Sequence, residues 1–175
     1  MLNRLFKPRA AEVAGRALYA RAVDQARSPA LYAAFAAPDT VEGRFELYTL
    51  HVVLLLDRLK RQGAQAAETA QSLFDTYVKA LDHALREMGV GDLSVGKKMR
   101  KVGEAFYGRA KSYDEAFTAL PDRAPLEALL ARTVYAGAEP EPARALVDYV
   151  VAQREALAGL PLERLCAGEV EWRPV

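Results

Sequence analysis

The sequence predicts an all-α fold, a single-domain bundle of about six or seven helices with an irregular C-terminal tail. Three observations lead there. Alanine (33), leucine (23) and arginine (17) dominate the 175 residues, and all three are strong helix formers. Apolar residues recur at helical spacing, and no stretch alternates apolar and polar long enough to argue for a sheet. Proline and glycine stand where helices start and stop. With 51% hydrophobic residues, a chain of this length buries a sizeable core.

The elements follow in order. Val13, Ala17, Ala20 and Asp24 set a helix over about Ala10 to Arg27. Ser28-Pro29 reads as an N-cap and first helical residue, opening a short helix through Phe35. Pro38-Asp39-Thr40 starts a long helix expected to reach Gln62 before Gly63. Its run from Leu47 to Leu56 is apolar almost all round, which predicts the central, most buried helix. A third long helix spans about Ala66 to Met88, with Ala70, Leu73, Phe74, Tyr77, Leu81, Leu85 and Met88 on one face. Asp75 with Lys79 and Asp82 with Arg86 are i,i+4 pairs on the other. Gly89 is a natural stop, and the turn Gly89-Val-Gly91 leads to Asp92 or Ser94 as the cap of a helix to about Leu120. Pro121-Asp122 and Pro125 open a shorter helix ending near Gly137. Pro140 and Pro142 start the last long one, to about Ala158. The tail from Leu160 to Val175 reads as an irregular strap anchored by Trp172. The organisation expected is a basic N-terminal segment (1–9), a helical domain (10–158) and a tail packed on it (159–175).

Charge and cysteine content narrow the function. There are 24 Lys and Arg against 23 Asp and Glu, so the whole molecule is no nucleic-acid-binding polycation, and DNA is not an expected partner. A single cysteine, Cys166, excludes an internal disulfide framework and a Cys-rich zinc site; it reads as a small buried hydrophobe. The N-terminus is basic but has no apolar region behind it, so it is not a secretory signal. The apolar run Leu47–Leu56 is too short for a bilayer that needs about 20 residues. A cytoplasmic chain with only peripheral membrane contact is the expectation.

No chemical motif survives inspection. Gly91-Asp-Leu-Ser-Val-Gly96-Lys97-Lys98 has phosphate-loop spacing, but Lys98 replaces the magnesium-holding hydroxyl and the motif follows a helix rather than a strand. His51 and His83 lie on different helices without a metal-ligand pattern, and His51, inside the apolar run, reads as a hydrogen-bonded core histidine. Neither catalytic residues nor a metal or cofactor are expected, and the chain is read as a non-enzyme.

The most informative local feature is basic. Gly96 to Lys111 carries Lys97, Lys98, Arg100, Lys101, Arg109 and Lys111 against one acid, Glu104. At about 100° per residue the six cations fall in an arc about 180° wide, while Val95, Met99, Val102, Phe106 and Tyr113 cluster within about 60° on the opposite side. One face packs and the other is positive. Tyr107 lies near the boundary, placed to help hold a partner helix. A solvated helix face is the plain alternative. Leu2, Leu5 and Phe6 beside Arg4 and Lys7 form a second cluster suited to touching a membrane surface.

Leu73-Phe74-Asp75, the run Leu85-Arg-Glu-Met-Gly-Val-Gly-Asp-Leu-Ser-Val-Gly-Lys-Lys-Met-Arg-Lys101, Ala105-Phe-Tyr-Gly-Arg109 and the upstream Gly43-Arg-Phe-Glu-Leu-Tyr-Thr-Leu-His51 resemble the ubiquinol–cytochrome c chaperone family. The likeness covers about Asp39 to Leu120; Lys79-Ala80 departs from it, where acidic residues are expected. The resemblance implies an all-α, non-enzymatic assembly factor for respiratory complex III that holds newly made cytochrome b apoprotein. It further implies a place at the cytoplasmic face of the inner membrane, with a second assembly factor and, in mitochondrial members, the translating ribosome as companions. Lys97, Lys98, Arg100, Lys101, Arg109 and Lys111 would then meet anionic lipid, ribosomal RNA or acidic loops. Gly89, Gly91 and Asp92 would supply turn geometry. A peripheral membrane or RNA-binding module using the same basic face is the competing reading.

Overall fold

The computed structural model describes residues 9–137 and 140–175. Among the described residues eight helices follow in chain order: α1 (Ala10–Ala26), α2 (Pro29–Phe35), α3 (Val41–Leu59), α4 (Ala64–Glu87), α5 (Asp92–Ala119), α6 (Ala124–Thr133), α7 (Pro140–Gly159) and α8 (Leu162–Cys166). No strand occurs among the described residues. None of their helices is long and apolar enough to cross a membrane. The N-terminal cluster Leu2, Arg4, Leu5, Phe6 and Lys7 lies outside the described residues.

The most apolar run becomes the axis of the molecule. In α3, Leu47, Leu50, Val52, Leu54, Leu55 and Leu59 are buried, and the helix touches α1, α4, α5 and α7. Removing one such leucine side chain costs about 2–5 kcal/mol. Thr40 starts α3 by accepting the Gly43 N–H at 3.0 Å, the expected cap chemistry. The helix stops at Leu59, earlier than the expected Gln62. Lys60 turns extended and Arg61 enters the left-handed region at φ 60°, so that Ala66 of α4 can bury against the bundle.

α1 lies along α4 at backbone distance. A Cβ on Gly15 would stand 2.4 Å from Ser72 Oγ and 2.6 Å from the Leu73 nitrogen, so this position admits no side chain without separating the helices.

Past Tyr77 the core thins. The apolar face expected to run down α4 to Met88 is buried only as far as Tyr77. Leu81 and Leu85 are half-buried, and Met88 is 60% exposed. Between Val78 and Ala105, Val95 is the one buried side chain among the described residues. The last turns of α4 and the first of α5 therefore form a hairpin that extends beyond the packed layers. Gly89 closes it with φ 83°, and the Val90 N–H bonds the Leu85 carbonyl at 3.1 Å, a helix-ending turn that needs a left-handed residue. Gly91, at φ −66°, is the cap position of α5. Asp92 is thus the first helical residue and not the cap. The expected pair of Asp75 with Lys79 is replaced by a 2.8 Å bond from Gln71 to Asp75, whereas Asp82 and Arg86 do pair, at 2.7 Å.

The tail is more ordered than an irregular strap, because Leu162–Cys166 forms α8, burying Leu165 and Cys166. Gly168 follows at φ 85°, and a Cβ there would sit 2.8 Å from that of Ala17. Gln153, buried in α7, donates to the Arg173 carbonyl at 2.8 Å and accepts the Arg173 N–H at 2.9 Å. Trp172 donates its indole N–H to the Arg21 carbonyl at 3.0 Å and stands edge-on to His51, ring centres 5.1 Å apart. Trp172 is an anchor, as expected.

Candidate functional site

α3, α4 and α5 leave a groove of about 660 Å³ between the end of α3, the first half of α4 and the second half of α5. Val53, Leu56, Phe74, Phe106 and Phe117 contribute its apolar surface, with Ala67, Ala70 and Ala110 keeping it open. Phe74 and Phe106 meet with ring centres 5.0 Å apart, and Tyr107 approaches Phe74 at 5.8 Å. Phe106 is buried and Tyr107 is 64% exposed. The helical count had placed them on the packing face and near its edge, respectively.

Charged residues ring this surface. Lys60 bonds Asp114 at 2.6 Å from the end of α3 to α5, and that contact holds the Asp114 carboxyl below the usual range. Arg154 pairs with Asp57 at 2.8 Å while stacking over the Phe117 ring at 4.9 Å. Both acids of the rim are thus engaged and Lys111 lies within ion-pair distance of Glu115, leaving the rim cationic at Arg61. Arg61 is a long side chain held in a left-handed turn that glycine or asparagine adopts more cheaply. A groove of this size lined mainly by carbon, with its ions on the edge, suits apolar side chains projecting from another helix.

The groups whose titration is displaced furthest lie in the core. Burial pushes His51 down to about 4 and Tyr149 up to about 12. His51 Nδ1 donates to the Leu47 carbonyl and Nε2 accepts from the Tyr149 hydroxyl, both at 2.8 Å. Gln25 in turn donates to the Tyr149 oxygen at 2.9 Å. His51 is therefore the core histidine that the sequence suggested. The Gly91–Lys98 segment follows α4 and forms the first turns of α5, without the strand that a phosphate loop requires.

On α5 the structure separates the basic residues. Lys97, Lys98 and Lys101 are exposed. Arg100 lies 3.5 Å from Glu104 and Lys111 lies 3.8 Å from Glu115, all four of them well exposed. Arg109 turns inward. Its Nε and Nη2 reach both carboxylate oxygens of Glu46 at 2.8–3.2 Å, and Glu46 is only 6% exposed. Expected as a partner contact, Arg109 is instead internally neutralised: a buried acid on α3 needs a cation that can bond it bidentately. Sequence reasoning missed this pair. The signal was a lone glutamate directly before the apolar run. It also did not locate the groove: Tyr107 and Lys111, expected as partner contacts, line it, but so do Phe74 and Phe106, which were placed on packing faces.

Three glycines in α5 have no packing role. A Cβ on Gly96, Gly103 or Gly108 would meet nothing within 4 Å. Each alanine replacement is expected to raise stability by about 1 kcal/mol, measured by thermal unfolding. An unchanged or lowered midpoint would mean that the helix is strained there.

Comparison with known proteins extends the resemblance. Residues 33–172 match the family described as ubiquinol-cytochrome C chaperone. The chain is 30% identical over 141 residues to ubiquinol-cytochrome-c reductase complex assembly factor 1 of Xenopus laevis, covering 79% of this chain and 70% of that protein. It is 28% identical over 167 residues to the mouse protein, covering 94% of this chain. It spans little more than half of that relative's length, 56%. Among solved structures, the crystal structure of the Cbp3 homolog from Brucella abortus matches with a TM-score of 0.85 and 36% identity, over 99% of this chain and 97% of that one. The chain belongs to the ubiquinol-cytochrome C chaperone family.

Proposed function

We propose that this chain is a non-enzymatic assembly chaperone for the ubiquinol–cytochrome c reductase complex, and that its client is newly made cytochrome b, met at the cytoplasmic face of the inner membrane. Family membership and the assembly-factor names of the Xenopus and mouse relatives support the first part. The observation that carries the second is the groove between α3, α4 and α5, carbon-lined and open along one side. An unassembled membrane subunit exposes apolar helix faces that water does not tolerate, and such a groove covers part of one face until its proper neighbours arrive.

The hold is strong but reversible. Each well-buried Leu or Phe of the client contributes about 1.5–3 kcal/mol before the costs of association. Two or three anchors suit a chaperone that must let go. A second assembly factor fits the same scheme as a partner on another face.

Ala67→Arg tests the groove. Ala67 is exposed and lines the groove, so the substitution places a charged chain in it without touching the core. Recovery of cytochrome b with the tagged chain from solubilised membranes is expected to drop at least tenfold (about 1.4 kcal/mol), with an unchanged unfolding midpoint. Undiminished recovery would move the client to a different surface.

A further inference from the structure

The groove accounts for the base of the α4–α5 hairpin but not for its far end. There, acids are answered within the hairpin: Asp82 by Arg86, Glu104 by Arg100, while Glu87 lies 3.4 Å from His83. Lys97, Lys98 and Lys101 are exposed, and among the described residues no acid lies within ion-pair distance of them. They stand within one turn and a fraction of α5, about 6 Å along its axis. Met88, 60% exposed, and half-buried Val90 stand at the adjoining turn.

The choice of cation is informative. The chain holds 17 arginines and only seven lysines, and three of those seven fall between positions 97 and 101. Elsewhere arginines make directed bonds, as Arg109 does to Glu46, Arg154 to Asp57 and Arg58 to the carbonyls of Leu157 and Leu160. Arginine's planar fork suits such fixed geometry, whereas lysine is a hydrated point charge on a flexible stem. A cluster of lysines beside exposed apolar side chains fits a diffuse anionic surface with an apolar layer beneath it, which is the chemistry of lipid headgroups. Single-stranded RNA would call for stacking rings among the cations; on this face the nearest is Tyr107, at the groove.

We infer that the end of the α4–α5 hairpin, through Lys97, Lys98 and Lys101 with Met88, is a docking surface for anionic phospholipid. This deepens the reading that the chain works at a membrane. Docked there, α5 sets Lys111 at the groove rim about 21 Å along the helix from Lys97, within reach of a client segment leaving the bilayer.

Sedimentation of the full chain with phosphatidylcholine vesicles, with and without 30% phosphatidylglycerol, tests this without any client present, so its failure and that of the client reading are separate results. The chain is expected to bind the anionic vesicles and not the neutral ones. Lys97→Gln/Lys98→Gln/Lys101→Gln should lower binding about 100-fold, near fivefold per charge. Met88→Ser should lower it further, and both variants should keep the wild-type circular dichroism. Equal binding to neutral vesicles, or a triple variant that binds as before, would overturn the assignment. So would loss of binding only on removal of residues 1–8. Tighter binding to a uridine 20-mer, lost in the triple variant, would overturn it in favour of RNA.

Discussion

Arg109→Ala is expected to destabilise the protein by about 3–5 kcal/mol, more than any substitution on the exposed basic face of α5. The cost comes from Glu46, 6% exposed, whose two carboxylate oxygens are both bonded by Arg109. Without that guanidinium a buried charge is left uncompensated, and breaking a buried pair from one side costs this much. Arg109→Lys should recover only part of the loss, since an ammonium does not reproduce two parallel bonds. Glu46→Gln combined with Arg109→Met should fall well short of the sum of the single effects, as expected of groups in one network. Urea unfolding of the wild type, Arg109→Ala, Arg109→Lys, the double variant and its two single variants measures this. A cost below about 1 kcal/mol, typical of exposed pairs, would mean that Arg109 is free to meet a partner after all.

Acid should weaken the fold through His51. Its pKa is about 4 in the folded chain against an ordinary 6.5, because burial disfavours the charged ring. The value is depressed on folding, so the unfolded chain binds the proton first. The stability from keeping the ring neutral is complete above about 6.5 and is lost as pH falls towards 4. Two and a half units amount to about 3 kcal/mol. The structural reason is directional: the Leu47 carbonyl can only accept, so Nδ1 carries the proton and Nε2 accepts from Tyr149. A second proton would set two donors against each other. His51→Gln removes the titration, and its urea midpoint should fall less between pH 7 and pH 4.5 than the wild-type midpoint does. Parallel pH profiles would show that carboxylates elsewhere control acid unfolding.

These two networks mark where the sequence stops being legible: the burial of His51 was readable, but its partner Tyr149, 98 residues away, was not. Helix starts were readable because their chemistry is local: Ser28-Pro29 opens α2 and Thr40 caps α3. The basic face was readable because α5 is long and its period is clear. The Glu46–Arg109 pair joins residues 63 apart, which no local pattern connects. The end of α3 was misplaced because Arg61 turns left-handed without being glycine. The helix within the tail escaped notice because five residues are too few for a period. The groove was hidden for a different reason: Phe74 and Ala70 fall on the same stripe as Leu73 and Tyr77. Periodicity finds an apolar face but does not tell a face covered by its own chain from one left for another. The family likeness, legible in the sequence only to Leu120, extends through α7 and the tail to Trp172, whose indole is bonded to Arg21.

If the chain serves cytochrome b during assembly of the ubiquinol–cytochrome c reductase complex, as proposed, cells without it lose that subunit. The most direct measurement is the reduced-minus-oxidised haem spectrum of membranes from cells lacking the gene, grown where the complex is required, with an immunoblot for cytochrome b. Selective loss of b-type haem absorbance and of cytochrome b is expected, restored by the wild-type chain and not by Ala67→Arg. Normal cytochrome b and normal reductase activity in the deleted strain would contradict it.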